Sequence, residues 1–400
     1  MEFRIRLKEL RQEKKMTQQS LGETMGVAGY TIKDWEIGRC EPNIRHIIDL
    51  ANFFDMSADY LLGNSDDYYH EGGSGKFYCV LDSKKSCCYA KQNCTQKTRR
   101  KFMEKFVIST DTNSDYLKSE FEAKKLYYGI IKRIQDGVEY EDVYDSEAEF
   151  DAFFESIKKG ALPTTTQLNP HEFEELFTKM LNENPNKDIV HIGISSGLSK
   201  THENAIAVAN QMNTELSGRK IYVIDSLAAS SALRMLVDLL IEKRDQGTSA
   251  KEAVEYIEYV KTRQHTWAVI DDLGHLKRGG RISGAKAMIG KLLGIKPIIT
   301  INAKGKLAIE SKPKGSAKAI SYIVSQIEKQ RDEGGRYDDY PIYLIHTSAK
   351  EAVKKLEAEI KNKYPNKQVL VTNMGPVVGT HVGGGLVAVV FIGKERLNID

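Results

Sequence analysis

The chain has 400 residues, 41% of them hydrophobic and 28% charged, a globular composition too long for one ordinary core. Its 58 Lys and Arg against 55 Asp and Glu leave a net charge of +3, which favours no class of partner. No apolar run approaches ~20 residues, the first fifteen residues are charged throughout, and the five cysteines are an odd number. These features argue against a membrane-spanning, disulfide-framed secreted or natively unfolded chain, and a cytoplasmic protein of several domains is expected.

In residues 2–15, Phe3, Leu7 and Leu10 recur at helical spacing. Thr17 suits the N-cap of a second helix over 18–25, where Leu21 and Met25 share a face, and Gly26 supplies the turn. A third helix over 29–37 turns Ile32 and Trp35 inward. Pro42 opens a fourth, with Ile44, Ile47, Ile48, Ala51 and Phe54 toward the core, and Ser57 caps a last turn ending at Leu61-Leu62-Gly63. Five short helices with a glycine turn between the second and third make an all-α helix-turn-helix unit, assigned to residues 1–66.

The quoted residues, together with Thr17-Gln18-Gln19-Ser20-Leu21, Gly26-Val27, Thr31 to Arg39 and Asp59 to Gly63, resemble a Cro/C1-type (XRE) DNA-binding domain. In that family the third helix lies in the major groove and its early residues read base edges. The resemblance implies DNA contacts from Gly29, Tyr30, Thr31 and Lys33, with Gln18 reaching backbone or base. A single head of this kind binds too weakly to find an operator, so a homodimer on double-stranded DNA, with a basic contribution from 97–101, is expected. Ala28 stands where a capping Ser is usual, Gly29 stands where a long polar reader is common, and Asp34 adds a negative charge.

Residues 67–105 hold nine basic against four acidic residues, a Gly72-Gly73-Ser74-Gly75 run and four cysteines. They read as a basic linker. Cys79, Cys87, Cys88 and Cys94 leave three readings open: a zinc site without ribbon or finger spacing, a redox pair activated by Lys84, Lys85 and Lys91, or unpaired thiols. No metal site is assigned. The run Lys97 to Lys101 is either a solvated face or a source of phosphate contacts.

From residue 106 strands and helices alternate. Phe106 to Asp111, Ile189 to Ile194 and Lys220 to Ser226 read as buried strands ending in hydroxyl-bearing loops, with a helix over 201–213. Further strands are expected at Trp267 to Ile270, Ile298 to Ile301, Pro341 to His346 and Leu386 to Phe391. The fold class is therefore α/β in two lobes, residues 106–262 with a mostly parallel sheet and residues 263–400 as a second α/β lobe. Hydroxyls on loops before helices, above apolar strands, suit an anion with an apolar tail. Gly193-Ile194-Ser195-Ser196-Gly197, with Asp225 and His381 downstream, also fits a nucleophile-elbow pattern, so an acyl-ester hydrolase is a second class of reading. Lys277-Arg278-Gly279-Gly280-Arg281 is either a phosphate site or a tight turn with exposed cations.

Several of these motifs together resemble the DegV family of fatty-acid-binding proteins: Thr110-Asp111-Thr112, Pro163 to Gln167, His191 to Ser199, Asp225-Ser226, Leu276 to Ser283, Gly294 to Pro297, and Gly379 to Gly383. The resemblance implies a two-lobed, non-enzymatic protein with a long-chain fatty acid as ligand and no cofactor. It places the carboxylate at Thr165 and Thr166, at Ser195 and Ser196, and near His381. Members of the FakB type present that carboxylate to a separate fatty acid kinase. Thr166 replaces the usual Ser, Lys200 a Gly and Gly384 a Pro. The expected function is a lipid-responsive transcriptional regulator, with a carrier serving a kinase as the alternative.

Overall fold

Apolar spacing and glycine stops set the first unit. Its helices are α1 (Glu2–Glu13), α2 (Gln18–Met25), α3 (Gly29–Ile37), α4 (Ile44–Phe54) and α5 (Ala58–Leu62). Thr17 Oγ1 accepts the Ser20 N–H at 3.0 Å, and Gly26 and Gly38 end α2 and α3 at φ 68° and 70°, the left-handed region glycine enters without cost. Leu7, Leu21, Ile32, Leu50 and Leu61 are fully buried around Trp35. Ala28 provides no side-chain cap to α3.

The computed structural model describes residues 2–39, 42, 44–54, 56, 58–62, 104–271, 273–282, 294–332 and 340–396. Ser57, Gly63, the side chains of Ile44 and Ile48, the four linker cysteines and the basic run 97–101 lie outside the described residues. Contacts divide the chain into two units, Met1–Lys97 and Thr98–Asp400.

The second unit opens with β1 (Phe106–Asp111), α6 (Lys118–Ala123), β2 (Leu126–Gly129), β3 (Lys132–Gln135), β4 (Val138–Glu141), α7 (Glu147–Lys158), β5 (Thr164–Thr165) and α8 (Pro170–Glu183). It continues with β6 (Asp188–Gly193), α9 (Thr201–Asn213), β7 (Ile221–Asp225), α10 (Ser231–Asp245) and α11 (Ala250–Lys261). One sheet runs in the order β2-β1-β6-β7 with every pair parallel, and a small antiparallel sheet has the order β4-β3-β5. The remaining elements are β8 (Gln264–Val269), α12 (Gly274–Arg278), β9 (Ile298–Ile301), β10 (Leu307–Ser311), α13 (Ser316–Gln330), β11 (Ile342–His346), α14 (Lys350–Lys363), β12 (Val369–Asn373), α15 (Pro376–Val382) and β13 (Val387–Ile392).

The second sheet has the order β10-β9-β8-β13-β11-β12, and only β11 and β12 pair in parallel. All its strands follow residue 262, whereas those of the parallel sheet precede it. One hydrophobic cluster joins the lobes, running from Phe106, Ile108 and Ile192 through α10 to Ala268, Tyr343 and Val390. The outer faces carry their own cores, around Phe173 and Phe177 in the first lobe and around Ile323 and Leu356 in the second. The carboxyl ends of β1 and β6 thus open toward the second lobe. Among the described residues no helix is long and apolar enough to cross a membrane.

Candidate functional site

Between the lobes lies a cavity of about 420 Å³. Its walls are mostly apolar, with Ile131, Ile194, Leu276, Ile299, Val378 and Ala388 among them. Its volume and lining are those of small-molecule sites, which pair apolar walls with a few placed polar groups.

Thr165, Thr166, Gln167, Ser199, Arg281 and His381 also line it. Thr165 stands on β5, held in register by the antiparallel pairing of Arg133 with Thr165. Its Oγ1 lies 2.9 Å from Nε2 of His381. His381 sits near the end of α15, whose start is fixed by Pro376 at the first position and by Asp142, which accepts the Val377 N–H at 3.3 Å. Burial, with the charge of Arg281 nearby, lowers the His381 pKa to about 4, so its imidazole is neutral at pH 7. Arg281 Nε donates to the Leu198 carbonyl at 3.4 Å, which brings the 198–199 loop to the same end of the cavity. Thr166 Oγ1 accepts the Lys132 N–H at 3.2 Å.

The serine pair is placed differently. Ser195 is fully buried; its hydroxyl donates to the Gly305 carbonyl at 2.9 Å and accepts the Gly197 N–H at 3.1 Å. The exposed Ser196 hydroxyl donates to Asp225 Oδ2 at 2.5 Å, and its N–H to Oδ1 at 3.0 Å. Neither residue lines the cavity, although Ile194, Leu198 and Ser199 of the same loop do. The loop is anchored by the buried Asp111, which accepts the Ile194 N–H at 2.9 Å and the Asn113 N–H at 3.0 Å. α9 starts at Thr201, several residues after the serines. The nucleophile-elbow pattern does not assemble a relay, because Asp225 binds Ser196 directly and His381 binds Thr165.

The structure therefore brings Thr165, Thr166 and His381 together and leaves Ser195 and Ser196 on other partners. Ser199 and Arg281 stand in the DegV-like stretches His191 to Ser199 and Leu276 to Ser283, but the sequence assigns neither to the carboxylate end. The cationic run folds as the end of α12 followed by a turn at Gly280 with φ 69°. Lys277, Arg278 and Arg281 are exposed there. Among the described residues no group of three or more His, Cys, Asp or Glu is placed to hold a metal ion.

In the first unit Tyr30 is 72% exposed at the start of α3, and Lys33 is exposed one turn on. Thr31 is half-buried between them. Gly29 is buried: a methyl group there would lie 2.8 Å from Gln19 Cα, so this glycine serves the close packing of α2 on α3. Gln18 donates its amide to Glu36 Oε2 at 2.8 Å, joining the buried pair of Glu36 with Arg11 at 2.5 Å. Asp34 is matched by Arg39 at 3.5 Å.

Fold and cavity define a two-lobed α/β protein enclosing an apolar site with one polar end, joined to a helix-turn-helix unit. The chain belongs to the DegV family. The profile of that family, described as uncharacterised, matches residues 105–394, and a helix-turn-helix domain profile matches residues 5–66. A DegV domain-containing protein of Clostridium perfringens is 33% identical over 295 residues, 74% of this chain and 99% of that protein. Among solved structures, a DegV family protein from Thermus thermophilus, described as binding fatty acid, superposes with a TM-score of 0.64 at 25% identity over 72% of this chain and 99% of that one. DegV of Bacillus subtilis, described as a fatty acid binding protein, gives 0.59 at 27% identity, over 73% and 100%.

Proposed function

We propose that the second unit binds a long-chain fatty acid with its carboxylate at the Thr165–His381 end of the cavity, that the first unit binds DNA, and that the chain is a lipid-responsive transcriptional regulator. The observation that carries the lipid half is an apolar cavity whose polar end pairs a neutral imidazole with a hydroxyl. Each methylene buried there contributes about 0.8 kcal/mol. Thr165 and His381 orient the carboxylate and select an acid over an ester. Thr166 stands beside them, and Ser195 and Ser196 join only by exchanging Gly305 and Asp225 for the ligand. No covalent step is required.

The DNA half rests on the exposed face of α3, where Tyr30, Thr31 and Lys33 meet the groove while Gln18 steadies the entry of α2. One head of this size binds weakly, so two half-sites and a homodimer are expected on DNA. Native mass spectrometry of the purified chain tests the lipid half. A bound long-chain fatty acid is expected, and delipidated protein that takes up none would refute it.

A further inference from the structure

We propose that Gly279 is a positioning residue for the His381 imidazole, an inference that rests on the fatty-acid reading of the cavity. Gly279 closes α12 with φ −68° and ψ −14°, a conformation open to every residue. Backbone geometry therefore does not call for glycine, and alanine would reduce the entropy of the unfolded chain there. Space calls for it. A methyl group on Gly279 would lie 2.5 Å from His381 Nδ1 and 3.4 Å from its Cγ. The next residue makes the contrast: Gly280 has φ 69° and nothing within 4 Å of such a group, so it serves the turn.

The imidazole is thus held on two sides, by the Thr165 hydroxyl at Nε2 and by the bare Gly279 Cα beside Nδ1. The contact is reciprocated between the same two helices. A methyl group on Gly383, just past α15, would lie 2.6 Å from Cδ2 of His275 on α12. Each helix sets a histidine ring on the other's glycine. A side chain at Gly279 displaces the His381 ring and with it the Thr165–Nε2 pair at the polar end of the cavity.

The test is a double-mutant cycle on the delipidated full chain, titrated with oleate by calorimetry and read in parallel from the His381 ring ¹⁵N signals. Gly279→Ala is expected to weaken oleate binding about tenfold, the worth of one oriented hydrogen bond, and to shift the ring signals. In a His381→Ala background the same change is expected to cost less than about twofold, because the ring it displaces is gone. Equal losses in both backgrounds, or unmoved ring signals, would overturn the proposal while leaving the fatty-acid reading intact. If wild type binds no oleate, that reading fails, and the ring signals alone judge Gly279. Should Gly279→Ala not fold, recovery of the fold in the double variant supports the ring contact, and continued misfolding refutes it.

Discussion

Thr165 and His381 are 216 positions apart and meet through one hydrogen bond of 2.9 Å. Removing either partner leaves the acyl walls in place, so the loss should be that of one polar contact. Thr165→Val and His381→Ala are each expected to weaken fatty-acid binding about five- to tenfold, with little change for the methyl ester, in a calorimetric titration. Ser196→Ala should cost less than about twofold, because its hydroxyl serves Asp225. A loss matching that of Thr165→Val would show that the loop turns inward on binding. Protonation gives a second test. His381 is held to about 4 by burial, and a carboxylate brought into contact favours its charged form. Binding then takes up a proton, so affinity should rise as pH falls below neutral toward about 4. In His381→Asn only the fatty acid's own titration should remain.

The helix that carries His381 is seated on buried carboxyls. Asp142 accepts its first N–H, and burial raises Asp142 and the neighbouring Asp115 to about 7. The folded state therefore keeps protons that the unfolded chain releases. Their stabilisation is full below about pH 4 and is lost as pH rises to about 7. His381 and His191, lowered to about 4 and about 3 by burial, act in the opposite sense below about pH 6.5. Asp142→Asn mimics the protonated acid, so its melting temperature relative to wild type should be higher at pH 8 than at pH 5; an unchanged difference would contradict this seating. In the first unit Gly29→Ala must spread α2 from α3 and should destabilise the unit by about 1–3 kcal/mol. Lys33→Ala, in contrast, should leave the melt unchanged and lower the salt slope of DNA binding by about one.

Much of this scale was legible in the sequence. β1, β6 and β7 announced themselves because each is an apolar run ending in a polar loop, and α9 begins and ends at the residues its pattern gives. β4 was not legible because all four residues are exposed, nor β5 because it is two residues long. β10 and β12 lack a buried run, so their edge positions depend on partners that sequence spacing does not reveal. At the site, Thr165, Thr166 and His381 were readable from motifs. The engagement of Ser195 with Gly305 was not, because it depends on a turn of the second lobe 110 positions away.

At the scale of the whole molecule, two units on one chain make a switch only if the ligand binds the DNA-competent arrangement differently from the other. The cavity is built from both lobes of the second unit, and the proposed switch requires that filling it change how those lobes close. Under the proposed function that closure would report ligand to the rest of the chain, with an expected coupling of about 1–3 kcal/mol. The most direct measurement uses a DNA site selected from a random pool. Its affinity is compared for delipidated and oleate-loaded protein at one fixed salt concentration. A difference of about 5- to 150-fold between the two forms is expected. Equal affinities would contradict it and would leave a fatty-acid carrier tethered to an independent DNA-binding head.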